Sequence, residues 1–191
     1  MKELYFTPEL IDRVAREMLQ EGWELHEQHP WRFAPERAAL LVFDLQRYFL
    51  ERESHAYIPS AAAIVPKVEE LVAAFSSKDL PVVFTRHLNT GEGAGRMGAW
   101  WQELITREDP MSELLPELVT TPTHSLPLQG GGSGSVDGPS VIEKSQYDAF
   151  YKTSLEELLK GRGVEQVAIS RVMAHLCCET TARAALRRFE R

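Results

Sequence analysis

The stretch "AALLVFD", residues 38–44, is six apolar residues closed by one carboxylate. So short and so uniformly apolar a run reads as a strand buried on both faces, the pattern of a parallel sheet with helices above and below it. Working outward, "LPVVFTRH" at 80–87 repeats that pattern, "VIEK" (Val141–Lys144) is a third and shorter strand, and "VEQVAIS" at 164–170 is a fourth. The segments between them carry helix signals. Ser60 caps a helical stretch reaching about Lys78, with Pro66 placed to kink or delay its start. Ser154 and Glu157 form a capping box for "SLEELLKG", which stops at Gly161. Thr7, Pro8 and Glu9 open a peripheral helix that Gly22 can close.

Strands alternating with helices imply parallel pairing through right-handed crossovers. The expected fold is therefore α/β, a three-layer α/β/α sandwich with a mostly parallel, Rossmann-like sheet. Because the chain stops at Arg191 inside a helix that begins near Cys178, the sheet is expected to be incomplete at its C-terminal end. It is then small, or completed by a partner chain or a further segment.

At 191 residues with 43% hydrophobic content, one core and one domain spanning 1–191 are expected, with an N-terminal helix at about 7–22. "QGGGSGSVDGPS", residues 129–140, reads as a flexible inserted loop, since the residues after it are too few for a core of their own; an engineered spacer shares that composition. The formal charge of −7, with both signs interspersed, excludes the basic stripe that nucleic acid requires. No apolar run has the length of a membrane span, and the N-terminus lacks a leader pattern, so no membrane partner and a cytoplasmic location are expected. Two adjacent cysteines and six scattered histidines make neither a disulfide framework nor a CxxC-type zinc site.

Ligands of parallel α/β sheets bind at the carboxyl ends of the strands. The four strands deliver Asp44, Arg86 with His87, Lys144, and the segment leading to Cys177 to that edge. A thiol becomes nucleophilic as its thiolate, which a neighbouring cation and a helix N-terminus favour, while a carboxylate can take the proton. Each residue also has an ordinary reading: Cys177 as a small buried hydrophobe, Asp44 as a turn residue, Lys144 as an exposed edge-strand lysine. Phe49, Tyr57, Trp100, Trp101 and Tyr147 are candidates for an apolar pocket, and equally for core or subunit contacts. Gln46, Arg86, His87 and Arg96 are candidates for anchoring a carboxylate or carbonyl, with Arg96 as readily a solvated loop charge.

"LLVFDLQRYFL", "HAYIPSAAAIVP", "FTRH", "GRMGAWW", "VIEKSQYDAFYKTSLEELL" and "VMAHLCCETTARAA" together resemble the isochorismatase-like cysteine hydrolase superfamily, from about Ala38 to the last residue. The most specific parts are the strand-end Asp, the "EK" strand and the C-x-x-x-T-A signature, in which Cys177 is followed by Thr181 and Ala182. The resemblance implies a hydrolase with Cys177 as nucleophile, Asp44 as general acid/base and Lys144 steadying the thiolate, and it makes Cys178 a packing residue. It implies an oxyanion site of backbone N–H groups around Cys177, set by a cis peptide at Val172–Met173. It also implies a small-molecule substrate, no cofactor, and a homo-oligomer, dimer or tetramer. The metal site of nicotinamidase-type members has no counterpart in "TRHLNTGEG", so no metal is expected. Where relatives carry Thr-Gly, this chain has Ser170-Arg171, a change expected to disturb the turn feeding the nucleophile.

The resemblance leaves three activities open. Cys177 favours an amide, imide or ester-like substrate, whereas "HAYIPSA" and "GRMGAWW" lean toward the isochorismatase branch, in which Asp44 would protonate a vinyl ether. A catalytically silent binding or scaffolding relative is the third, suggested by Arg171 and the early C-terminus.

Overall fold

The computed structural model describes residues 3–28, 32–89, 94–99, 101, 104–119 and 140–189. Its centre is a sheet of four parallel strands, β1 (Ala38–Phe43), β2 (Val82–His87), β3 (Ser140–Lys144) and β4 (Gln166–Ser170), in the order β3-β2-β1-β4. The expected α/β class is observed, with helices on both faces. All six β1 residues are buried, as the uninterrupted apolar run requires of a central strand.

Alternation along β1 divides the core into two. Ala38, Leu40 and Val42 face α3 (Ala61–Ser76) through Val68, Val72 and Phe75. Ala39, Leu41 and Phe43 face α5 (Leu155–Gly161) and α6 (Glu179–Phe189) through Leu155, Leu159, Ala184 and Ala185. The remaining helices are α1 (Ile11–Gln28) and the single turns α2 (Arg47–Leu50) and α4 (Pro116–Val119). Burying each large β1 side chain is worth roughly 2 kcal/mol, so both helical layers are held to the sheet by the strand that positions the site.

Local signals were less reliable than the strands. α1 runs through Gly22 rather than closing there, because one exposed helical glycine costs only about 1 kcal/mol. Neither Ser60 nor Ser154 makes a side-chain cap. The Ser60 hydroxyl instead accepts from the backbone N–H groups of Tyr5 and Phe6, at 3.1 and 3.0 Å, and ties the N-terminal segment to α3. At α5, Thr153 Oγ1 accepts from Leu155 N at 3.3 Å in place of the expected Ser154–Glu157 box. Of the Gly/Ser stretch at 129–140, only Ser140 lies within the described residues, as the first residue of β3. No described helix is long and apolar enough to cross a membrane.

Strand register sets the functional edge. Phe43 is level with Thr85, His87 with Lys144, and Val42 with Ser170. Asp44, His87, Lys144 and Arg171 therefore leave the sheet side by side. Between β4 and α6 the chain makes a π-helical turn, Ala174–Cys178, so Cys177 sits in that turn rather than at the start of an α-helix.

Candidate active site

The backbone prepares the carboxylate before any partner reaches it. Asp44 follows β1 with φ +48°, a left-handed conformation that Asp tolerates better than most residues and that ends the strand abruptly. Its N–H still reaches Thr85 O at 3.1 Å, and Thr85 Oγ1 donates to Asp44 Oδ1 at 2.6 Å. The other carboxylate oxygen, Oδ2, faces two cations, Lys144 Nζ at 2.9 Å and Arg171 Nη2 at 3.3 Å. Asp44, Lys144 and Arg171 side chains are each no more than 2% exposed.

Lys144 is the hub. Its ammonium donates to Cys177 Sγ at 3.3 Å and to Gln146 O at 3.3 Å, besides pairing with Asp44, and lies 3.4 Å from His87 Nδ1. Far from an exposed edge lysine, it is 3% exposed. The sequence-predicted Asp44, Lys144 and Cys177 thus come together within hydrogen-bonding distance of one amine.

The electrostatics depart from expectation at the sulfur. Burial alone pushes the Asp44 carboxyl up, but Lys144, Arg171, His87 and the Thr85 hydroxyl together hold it well below the usual carboxylate range. For Cys177 the balance goes the other way: burial raises the thiol, Asp44 raises it further, and Arg171 and Lys144 only partly offset them. The resting site therefore pairs a carboxylate with a thiol, not a thiolate with an acid. Burial also pushes the neighbouring Cys178 up to about 11; its Sγ contacts Met173 O at 3.5 Å.

His87 falls to about 4, first through burial and then through Lys144 and Arg171, with Asp44 opposing. Both ring nitrogens face donors, Asn89 Nδ2 at 3.2 Å from Nε2 and Lys144 Nζ beside Nδ1, an arrangement hostile to a second ring proton. His87 is neutral at pH 7.

Of these groups His87, Arg171 and Cys177 open onto a narrow cavity, lined on its apolar side by Phe49, Trp101, Ile105, Met173 and Leu176 and on its polar side also by Tyr147. Of the expected pocket and binding residues, Phe49, His87, Trp101 and Tyr147 line it. Gln46 and Arg86 do not. Gln46 is spent holding two loops, accepting from His87 N at 2.8 Å and donating to the carbonyls of His87 and Ser112 at 2.9 Å each. Arg86 turns to Ser112, donating from Nε to its carbonyl at 2.9 Å and from Nη2 to its hydroxyl, with Glu143 3.6 Å from Nη1. Trp100 lies outside the described residues.

No cis peptide bond occurs among the described residues. The Val172–Met173 bond, expected to be cis, is trans, the form that costs a non-proline residue nothing. Met173 is extended, at φ −128° and ψ 117°, and lines the cavity; Val172 packs into the core on the α3 side. Among the described residues no group of three or more His, Cys, Asp or Glu side chains is placed to hold a metal ion. The residues that sequence reasoning missed are Thr85, Asn89 and, above all, Arg171, whose guanidinium stacks 4.8 Å from the Phe49 ring centroid. Its signal was present in the sequence: a lone charge inside the apolar run "VAISRVMA".

Residues 38–126 and 134–188 match the model of the isochorismatase domain. The chain is 34% identical over 151 residues to nicotinamidase 3 of Arabidopsis thaliana, covering 78% of this chain and 65% of that protein. It is 28% identical over 154 residues to enterobactin synthase component B of Escherichia coli (strain K12), covering 80% and 48%. The chain thus spans less than two thirds of either relative's length. A solved cysteine hydrolase from Pseudomonas syringae pv. phaseolicola 1448A superposes with a TM-score of 0.68 at 28% identity, covering 83% of this chain and 70% of that one.

Proposed function

Because the chain belongs to the isochorismatase family, we propose that it is a hydrolase of small amides or related carbonyl compounds, with Cys177 as nucleophile, Asp44 as acid/base and Lys144 as the orienting cation. The observation carrying this reading is the single amine of Lys144, 2.9 Å from Asp44 Oδ2 and 3.3 Å from Cys177 Sγ at the wall of one cavity.

The chemistry follows from where the protons sit. With the thiol protonated and Asp44 ionised, attack and proton transfer proceed together: Cys177 Sγ bonds to the substrate carbonyl carbon while its proton passes to Asp44. Asp44 then gives that proton to the departing nitrogen, the C–N bond breaks, and an acyl thioester remains on Cys177. Water attacks the thioester carbon, Asp44 accepts its proton, and the C–S bond cleaves with proton return to sulfur, releasing the acid. Lys144, 2.9 Å from Asp44 Oδ2 and 3.3 Å from Cys177 Sγ, keeps the two groups oriented, while the negative charge of each tetrahedral intermediate rests on the former carbonyl oxygen. The apolar cavity wall limits competing water.

Asp44 also discriminates between readings. Protonation of a vinyl ether needs a carboxylic acid, and Lys144 and Arg171 hold Asp44 as a carboxylate at neutral pH. Amide hydrolysis is therefore the better fit. The observation favouring a silent binding relative is Arg171, a second cation on the carboxylate that must act as base.

A panel of nicotinamide, pyrazinamide, small aliphatic amides with and without a carboxylate (succinamate and malonamate among them) and isochorismate, assayed with the wild type, Cys177→Ala and Asp44→Asn, tests all three. Amide turnover that both substitutions lower by roughly 1000-fold or more is expected. Amide turnover unchanged in Cys177→Ala excludes covalent catalysis, isochorismate cleavage surviving Cys177→Ala supports the vinyl-ether reading, and no turnover at all supports the silent one.

A further inference from the structure

Five buried side-chain polar atoms lack a hydrogen-bond partner among the described residues, and three of them, Arg171 Nε, Arg171 Nη1 and Tyr147 Oη, belong to two residues that line the same cavity. All three are donors. Leaving such donors buried and unmade is costly, so their clustering around one void beside the Cys177 sulfur marks a place made for an acceptor. Arg171 is held in place: its guanidinium carbon lies over the Phe49 ring, 4.8 Å from the centroid, Nη2 pairs with Asp44 Oδ2 at 3.3 Å, and the side chain also bonds to Cys177, which leaves Nε and Nη1 without a partner. The rest of its fork is free to receive a planar oxyanion.

Charge balance points the same way. The buried groups at the cavity are two cations, Lys144 and Arg171, against one anion, Asp44, with His87 neutral and the thiol protonated. A net positive charge sealed from water is unfavourable, and one bound anion cancels it. The cavity is narrow and holds no other charged side chain in its lining, so the anion must belong to a small molecule.

We infer that Arg171, with Tyr147, is a carboxylate-binding specificity site, and that the substrate is a small amide bearing a carboxylate within a few bonds of the carbonyl that Cys177 attacks. The substrate class rests on the hydrolase reading above; the anion site itself does not. Arg171 is then the residue that separates this chain's substrates from uncharged amides. The short reach between the guanidinium and the sulfur excludes long-chain dicarboxylic amides.

The test uses matched amide pairs differing by a carboxylate, succinamate against butyramide and malonamate against propionamide. In the wild type, kcat/KM for the acid member is expected to exceed that of its neutral partner by on the order of 10⁴-fold, the discrimination typical of a site built to pair a polar group. Arg171→Gln collapses that ratio toward one, and Arg171→Lys, which keeps the charge without the planar fork, retains part of it. A binding arm separates this from the hydrolase reading: calorimetric titration of malonamate and succinamate into Cys177→Ala, and into Cys177→Ala with Arg171→Gln. Arg171-dependent binding without turnover in the wild type sinks the hydrolase reading and supports the anion site. Preference for the neutral amides, a preference for acids that survives Arg171→Gln, or no acid binding to Cys177→Ala overturns the inference and reduces Arg171 to a counter-ion of Asp44.

Discussion

Lowering the pH from 7 to 5 should cost the fold about 2 kcal/mol through His87 alone. The unfolded imidazole titrates near 6.5 and the folded one near 4, because burial, Lys144 and Arg171 all oppose the imidazolium while Asp44 favours it. The folded-state value is depressed, so the contribution is fully present above the unfolded value and is lost as pH falls, when the unfolded chain takes up a proton that the folded one refuses. Two and a half pH units at about 1.4 kcal/mol each bound the loss at roughly 3.5 kcal/mol, most of it spent by pH 4. Asp44 adds its own loss at lower pH, below the unfolded carboxylate range, so the two windows are separable. Urea denaturation at pH 7, 6 and 5, with wild type and His87→Gln compared at each, measures it. The wild type should lose about 2 kcal/mol more than the variant across that interval. Equal losses would refute the claim that burial and the neighbouring cations keep the ring neutral.

Other consequences are more local. Lys144→Met leaves Asp44 buried with one cation fewer, and should destabilise the protein by about 3 kcal/mol or more in urea denaturation, with Asp44→Asn in the same chain restoring part of it. Thr85→Val keeps the shape but removes the hydroxyl donated to Asp44 Oδ1, at a cost of about 1–3 kcal/mol by the same method. Iodoacetamide, followed by peptide mass mapping, should modify Cys177 slowly at pH 7 and faster as the pH passes 9, with Cys178 lagging because its thiol is held near 11.

Much of this architecture could be read from the chain. Buried parallel strands announce themselves as short apolar runs, and the polar residues ending them fall at one edge whatever the helices do; Asp44 and Lys144 were legible for that reason. The helix boundaries were not, because hydroxyls that look like caps took distant partners: Ser60 serves the backbone of Tyr5 and Phe6, far away in sequence. Gly22 misled in a similar way, as a weak local preference overridden by the continuing helix. Gln46 and Arg86 had the right chemistry at the right edge, yet both are occupied in bracing Ser112 and its loop. Depth of burial was the hardest quantity to foresee, and it reverses the sign at Cys177: nearby cations suggested a thiolate, while the dry surroundings retain the thiol. Arg171 stood out as a departure from the family pattern and as a lone charge in an apolar run, and the three-dimensional arrangement gives it both a carboxylate partner and an aromatic platform.

The most direct test of covalent catalysis by Cys177 is the mass of the intact protein after acid quenching in the middle of turnover of an amide from the panel. A population heavier by the substrate's acyl group is expected, mapping to the peptide that contains Cys177 and absent from Cys177→Ala. Turnover that proceeds with no such adduct at any quench time, in a protein whose Cys177→Ala variant is equally active, would contradict it.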